Sequence, residues 1–294
     1  MSWAAKLAKP YRVENGKHFR LKDFDPADTG PCKSREHAAE FLQRGITQMT
    51  ELQDKLYAQD RAALLLIFQG MDAAGKDGAI KHVMSGVNPQ GCQVYSFKTP
   101  SAEELDHDFM WRNLRDLPAR GHIGIFNRSY YEETLIVRVH PDVLKGERIP
   151  HSLLGSHFWK HRFEDINSVE RYLARNGTVI RKFFLNLSKK EQKRRFEERL
   201  DNPSKNWKFS VNDIRERGYW DDYIQAFEEM IQHTATQEAP WHAVPADNKW
   251  FTRAVVAAVI VEALEEMKLA YPKVDAAQRK ELRAARALLK KEKK

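Results

Sequence analysis

The stretch Gly70-Met-Asp-Ala-Ala-Gly75-Lys76-Asp77 constrains this chain more than any other, because it stands between an apolar run at 62–68 and a helix-compatible segment opening at Gly78. Strand, glycine loop and helix in that order make a phosphate cradle. Such a loop needs backbone N–H groups turned inward, glycines where a Cβ would block the turn, and a lysine reaching bridging oxygens from the helix N-terminus. Gly70, Ala73, Ala74, Gly75, Lys76, Asp77 and Gly78 are therefore the expected phosphate- and nucleotide-binding residues. The residue after the lysine is normally Ser or Thr, whose hydroxyl ligates Mg²⁺. Here it is Asp77, with a second acid, Asp72, inside the loop. Two carboxylates beside a phosphate repel it unless divalent metal stands between them, so Asp72 and Asp77 are the expected metal ligands, for Mg²⁺ or Mn²⁺.

Ser34 caps a predicted helix in which Leu42, Ile46, Met49, Leu52 and Leu56 form one apolar stripe. Strands are expected at 62–68, 93–97, 121–126, 178–187 and 241–245. Between them, Thr99-Pro100-Ser101-Ala-Glu-Glu announces a helix holding Phe109, Trp111 and Leu114, and another helix is expected around 132–139. Strands alternating with helices predict a doubly wound α/β fold with a parallel sheet, whose ligand crevice lies at the strands' carboxyl ends. The loop at 70–76 and the segment 127–129 both fall at such ends.

No Gly/Ser/Pro-rich linker divides the 294 residues, so one domain with extensions is expected. Residues 1–33 read as an N-terminal arm, 34–270 as the domain, with a lid at about 188–222, and 271–294 as a basic tail. The net charge of +8, from 49 Lys and Arg against 41 Asp and Glu, points to an anionic partner. Cys32 and Cys92 lack metal-type spacing and suit a reducing cytosol. The N-terminus lacks an apolar signal core, and the longest apolar stretch, at 254–261, is too short to span a bilayer. A soluble cytoplasmic protein without a membrane partner is expected.

A second constellation, Phe126-Asn127-Arg128-Ser129-Tyr130-Tyr131-Glu132, closes the strand at 121–126. In P-loop enzymes such a strand end supplies an acid or amide for the metal or its waters, and a cation there stabilises charge on the transferring phosphoryl group. Asn127 and Arg128 occupy those positions. A third constellation is the basic run at 189–199, followed by Pro203 and by Lys205-Asn-Trp207-Lys208. Helical spacing sets Lys190, Arg194, Arg195 and Arg199 near one face, and the Pro203 turn brings Lys205 and Lys208 back toward it. This is the shape of a mobile lid lined with cations, closing over phosphates to exclude water. His157 and His161 form an i,i+4 pair, but the glutamate of the zinc-protease pattern is missing between them.

Together, Gly70-Met-Asp-Ala-Ala-Gly-Lys-Asp-Gly78, Phe126-Asn-Arg-Ser-Tyr-Tyr-Glu132, and Trp207-Lys-Phe-Ser with Asp213, Arg217, Trp220 and Tyr223 resemble the Walker A, Walker B and lid motifs of the family-2 polyphosphate kinases. The resemblance runs over roughly 34–267. It implies a thymidylate-kinase-like P-loop kinase fold, three-layered with a parallel sheet and helical lid, in a homodimer or homotetramer. It also implies Mg²⁺-dependent, reversible transfer of the terminal phosphoryl group of inorganic polyphosphate to nucleoside mono- or diphosphates such as AMP, ADP, GMP or GDP, regenerating nucleoside di- and triphosphates. The family's functional positions carry over onto Asp72, Lys76, Asp77, Arg128 and Lys208. Asn127 departs from the Asp of many members; with Tyr-Tyr-Glu after it and Val137-Arg-Val-His-Pro141 beyond, it resembles the subgroup active on both mono- and diphosphates.

In the expected mechanism Asp72, Lys76 and Arg128 are catalytic, and Arg194, Arg199, Lys205, Lys208, Asp213 and Arg217 form the polyphosphate-binding lid. The acceptor phosphate is already ionised at neutral pH, so no general base is needed. Two other classes stay open, an ATP-dependent nucleotide kinase and a basic P-loop protein acting on nucleic acid. Against the second, no aromatic single-strand platform or recognition helix is visible.

Overall fold

The computed structural model describes residues 1–292; Lys293 and Lys294, the end of the basic tail, lie outside the described residues. Six strands form one sheet: β1 (Arg12–Val13), β2 (Ala63–Gln69), β3 (Cys92–Ser96), β4 (Ile123–Asn127), β5 (Thr178–Asn186) and β6 (Trp241–Pro245), in the order β1-β6-β5-β2-β4-β3. The five from β2 to β6 are parallel to their neighbours, and β1 lies antiparallel on β6. A strand covered by helices on both faces must be apolar throughout, and every residue of β2 is buried. This is the three-layer α/β architecture of a P-loop kinase. The five strands expected from the sequence are all present, with boundaries moved by a residue or two.

One apolar layer joins Leu64, Leu66 and Phe68 of β2 to the helices Arg35–Gln59 and Lys249–Glu266, and the opposite layer joins Leu65 and Ile67 to the helices Phe158–Arg175 and Trp220–Thr234. The apolar stretch at 254–261 belongs to Lys249–Glu266, which is buried nearly all round, as a helix without a polar face must be. Its neighbour Arg35–Gln59 approaches closely at Gly45, where a Cβ would stand 2.9 Å from that of Ala257. No helix among the described residues is long and apolar enough to cross a membrane.

The first 33 residues, which lack periodicity in the sequence, pack onto the domain. The helix Trp3–Ala8 buries Ala4, Leu7 and Ala8 in the first layer, β1 extends the sheet, and Phe19 and Leu21 join the second layer. Their anchors are a helix of six residues and pieces of two or three, too short to leave a repeat. Two expected helices are also broken. Residues 101–116 form Ala102–Leu105 and Trp111–Arg115, and residues 130–139 form a 3-10 turn, Tyr130–Thr134, before the short helix Ile136–Val139. The basic tail contains the helix Ala276–Leu289, capped by Asp275 and exposed along its length, with Leu282, Leu288 and Leu289 in solvent.

Candidate active site

The chain reverses direction across the sheet at β2, whose neighbours are β4 and β5, and the phosphate loop leaves its carboxyl end. Gly70 and Gly75 have φ of +151° and +103°, and a Cβ at Gly70 would meet the Leu185 carbonyl oxygen at 2.9 Å. Only glycine fits there. Lys76 opens the helix Lys76–Val83 and folds back over the loop, its Nζ donating to the Gly70 carbonyl at 2.6 Å. It is only 8% exposed, and burial together with repulsion from Arg128 lowers its pKa to about 8. Anionic phosphate in the loop would supply the missing counter-charge.

Arg128 leaves the end of β4 with φ +64° and joins the loop acid to the strand-end acid. Its Nη2 donates to Asp72 Oδ1 at 2.7 Å and its Nη1 to Glu132 Oε2 at 3.0 Å. Glu132 first, and then Asp72, holds the guanidinium charged over an even wider range than usual. Asn127 Nδ2 donates to Asp77 Oδ1 at 2.6 Å, so the amide found where many members of the resembled family have a carboxylate orients the acid that follows Lys76. The two tyrosines of the same motif point the other way. Their hydroxyls both donate to the buried Glu170, at 2.9 and 2.7 Å, and Lys182 Nζ completes the charge at 2.6 Å from the same carboxylate. A desolvated, fully paired network fixes the backbone that carries Asn127, Arg128 and Glu132.

Asp72 and Asp77 both line the cleft. Among the described residues no group of three His, Cys, Asp or Glu side chains could hold a metal by itself. Two carboxylates facing a phosphate loop nonetheless fit a hard divalent cation of the Mg²⁺ type, which takes one or two carboxylates and completes its shell with phosphate oxygens and water.

Sequence reasoning missed Arg195. Helical spacing sets it among the cations lining the inner face of a lid, yet it is 3% exposed and lies behind the phosphate loop. Its Nη1 donates to the carbonyls of Ala73 and Ala74 at 2.8 and 2.9 Å, and its Nη2 to those of Ala246 and Asp247. These bonds fix the loop backbone from behind, where the Ala74 N–H also closes a turn onto the Met71 carbonyl at 3.1 Å. Gln192, one turn earlier, likewise donates to the Asp72 carbonyl at 3.0 Å. The helix Lys189–Asp201, within the segment expected to form the lid, is thereby fastened to the loop along one face.

The cleft over the loop has a volume of about 1560 Å³. Of the six expected lid residues, Arg199, Lys205, Lys208 and Asp213 line it, while Arg194 and Arg217 do not. Arg194 is one position around the helix from the buried Arg195, so it faces solvent and pairs with Glu191 at 2.6 Å. Arg217 turns back onto the lid helix, donating to the Lys189 carbonyl and to Gln192 Oε1, both at 2.8 Å. Arg199 faces Asp213 at 3.4 Å, and Lys205 pairs with Glu198. Lys208 lies 5.0 Å from the ring of Trp207, which is 78% exposed at the tip of the lid.

The cleft has two unlike walls. On the β5 and β6 side stand Arg199, Lys205 and Lys208 with Lys249 and Arg253 of the helix Lys249–Glu266. On the β3 and β4 side stand Phe97, Lys98, Phe109 and Arg112 with Glu104, Glu133 and Glu147. Lys98, Arg112, Lys249 and Arg253 were not legible as site residues, because each sits in a helix or loop remote in sequence from any motif. A basic strip leads to the loop from one side and a mixed aromatic and polar pocket from the other.

Known proteins resemble this chain across the whole domain. The profile of the family Polyphosphate kinase 2 (PPK2) matches residues 32–272. An ADP-polyphosphate phosphotransferase of Rhodopseudomonas palustris is 54% identical over 275 residues, covering 90% of this chain and 95% of that protein. An AMP/ADP-polyphosphate phosphotransferase of Meiothermus ruber is 42% identical over 273 residues, covering 92% and 98%. The crystal structure of polyphosphate kinase 2 from Arthrobacter aurescens superposes with a TM-score of 0.87 at 39% identity, covering 99% of each chain. With sequence, fold and phosphate loop all in agreement over the domain, the chain belongs to the polyphosphate kinase 2 family.

Proposed function

We propose that the protein transfers the terminal phosphoryl group of inorganic polyphosphate to the phosphate of a nucleoside mono- or diphosphate, reversibly, and that residues 34–270 are its catalytic domain. The observation that carries this reading is the pair of unlike walls meeting at one phosphate loop. A strip of Arg199, Lys205, Lys208, Lys249 and Arg253 suits a donor that is all phosphate, and the pocket with Phe97, Phe109 and Arg112 suits an acceptor with a base. The named activities of the Rhodopseudomonas and Meiothermus relatives support adenine nucleotides, AMP as well as ADP.

Phosphoryl transfer asks mainly for alignment and charge neutralisation. Lys76 and the N–H groups of the loop hold the phosphate at the transfer point, with Arg195 fixing the loop from behind. Arg128, aimed by Asp72 and Glu132, stabilises the charge that spreads over the equatorial oxygens. Asp72 and Asp77 would hold Mg²⁺, which when bound offsets the repulsion between donor and acceptor phosphates. Closure of the lid, with Lys208 and Trp207 at its tip, excludes water that would otherwise take the phosphoryl group. We infer a soluble homo-oligomer working in the cytoplasm.

Separate incubations of the purified protein with AMP or ADP, each with polyphosphate or with a nucleoside triphosphate as donor, test the reading. ADP and ATP formed from polyphosphate support it. Product formed only from the nucleoside triphosphate would make the protein an ordinary nucleotide kinase.

A further inference from the structure

The wall that we assign to the acceptor contains a charged cluster with no part in the transfer itself. Glu133, on the 3-10 turn after β4, and Arg162, on the helix Phe158–Arg175, are both buried. Arg162 Nη1 donates to Glu133 Oε2 at 3.1 Å, and its Nη2 donates to Glu147 Oε2. The guanidinium lies over the rings of Phe109 and Phe158, 4.3 and 4.9 Å from their centroids, which keeps water from it.

Glu133 and Glu147 accept from the two arms of one guanidinium, so their carboxyls stand side by side, and Glu147 Oε1 is buried without a hydrogen-bond partner. Two carboxylates side by side in a water-poor pocket repel each other, and one proton shared between them would supply the bond that Oε1 lacks. The remaining charged groups agree. Arg112 stands 4.0 Å from Glu133 and 3.8 Å from Glu104, so three acids face two guanidinium groups, and one proton balances the set.

Glu147 is also the largely buried polar anchor of an otherwise exposed stretch. Val143, Gly146 and Glu147 line the cleft, yet Val143, Leu153 and Leu154 leave much of their apolar surface in water. The stretch is tied down elsewhere by the exposed pair Arg148–Asp106, a kind of contact worth little.

We propose that the Glu133–Arg162–Glu147 cluster is a proton-dependent latch that holds residues 141–155 in place as the acceptor wall, and so sets the affinity for nucleotide without affecting that for polyphosphate. This rests on the functional reading above, since it assumes that this wall receives the nucleotide. Glu133, Glu147 and Arg162 act as positioning residues. Burial, and next the charge of Glu147, push the pKa of Glu133 up to about 8, so the shared proton is present at neutral pH and leaves as the solution becomes alkaline.

The test compares KM values for AMP and for polyphosphate at pH 7 and pH 9 in the wild type, Glu147→Gln and Glu147→Ala. The Gln amide can donate to Glu133 in place of the shared proton and accept from Arg162, so this variant should keep the latch closed at both pH values. The ratio of the wild-type KM for AMP to that of Glu147→Gln should be within about twofold of one at pH 7 and rise roughly five to ten times by pH 9. Glu147→Ala should raise KM for AMP about tenfold at pH 7 and change KM for polyphosphate by about twofold or less. Any alkaline effect of Lys76 is common to all three proteins and cancels in their ratios. Glu147→Gln following the wild type across pH, or Glu147→Ala with an unchanged KM for AMP, would overturn the latch while leaving the functional reading intact. Failure of the wild type to phosphorylate AMP or ADP at all would overturn both.

Discussion

Lys76 is the residue on which most of the proposed chemistry converges, and its burial makes its charge conditional. Its pKa is lowered to about 8 by burial and by Arg128, below the value it has in the unfolded chain. The unfolded state therefore binds more protons between about pH 8 and the ordinary lysine range, so this group adds stability as pH rises through that window. Its effect on function has the opposite sign. The free loop loses its cation above about pH 8, so kcat/KM for polyphosphate should fall there, whereas kcat should stay flatter because bound phosphate holds the proton on. Lys76→Ala should lower kcat by on the order of 10²–10³ with the far-ultraviolet circular dichroism unchanged. Near-normal turnover would remove the loop from the mechanism. Asn127 offers a second test at this scale. Asn127→Asp sets a carboxylate against Asp77 where the amide now donates at 2.6 Å, so the variant should melt lower than wild type in EDTA and recover most of the difference with Mg²⁺. An equal melting temperature in EDTA would show that the contact carries no weight.

Among the elements, the lid helix Lys189–Asp201 faces two ways at once. Gln192 and Arg195 bind the back of the phosphate loop while Arg199 lines the cleft, and Arg194 lies outside both. Arg195→Lys would keep the charge but lose the fork that reaches four carbonyls, and kcat should fall by roughly 10- to 100-fold with a smaller change in either KM. Arg199→Ala or Lys208→Ala should instead raise KM for long polyphosphate more than KM for nucleotide, and the polyphosphate KM of the wild type should climb steeply with salt. Arg194→Ala serves as the control, with little change in either. If the Arg199 and Lys208 variants altered nucleotide KM alone, the basic wall would be a nucleotide clamp. The far end of the lid is held by Glu216, which accepts from Tyr223 at 2.8 Å and meets His140 at 2.8 Å, giving the His of Val137-Arg-Val-His-Pro141 and the Tyr of the lid motif one joint structural role. The phosphate loop, the strand ends and the cleft-lining cations Arg199, Lys205 and Lys208 were legible because motif and periodicity are local. Which of two adjacent arginines faces inward was not, because successive residues on a helix differ by about 100° in direction and only the partner surface decides between them.

For the whole molecule, five strands could be read from the sequence, four of them from apolar runs, whereas β1 could not, since two residues leave no alternation to detect. The role of the N-terminal segment was hidden for the same reason, and so was that of Tyr130 and Tyr131, whose partner Glu170 lies about forty residues away. The exposed helix Ala276–Leu289 covers no part of the core, so truncation after Asp275 should shift Tm by less than about 2 °C and leave both KM values near wild type. A large loss of stability would mean that another surface covers its leucines. The central claim concerns the route of one phosphoryl group, from a polyanion on the basic wall to a nucleotide on the other. The most direct test follows that group by incubating wild type and Lys76→Ala with Mg²⁺, AMP and ³²P-labelled polyphosphate free of ATP. The account predicts label entering ADP and then ATP in step with polyphosphate shortening, and almost none with Lys76→Ala; label released only as inorganic phosphate, or transferred equally by the variant, would contradict it.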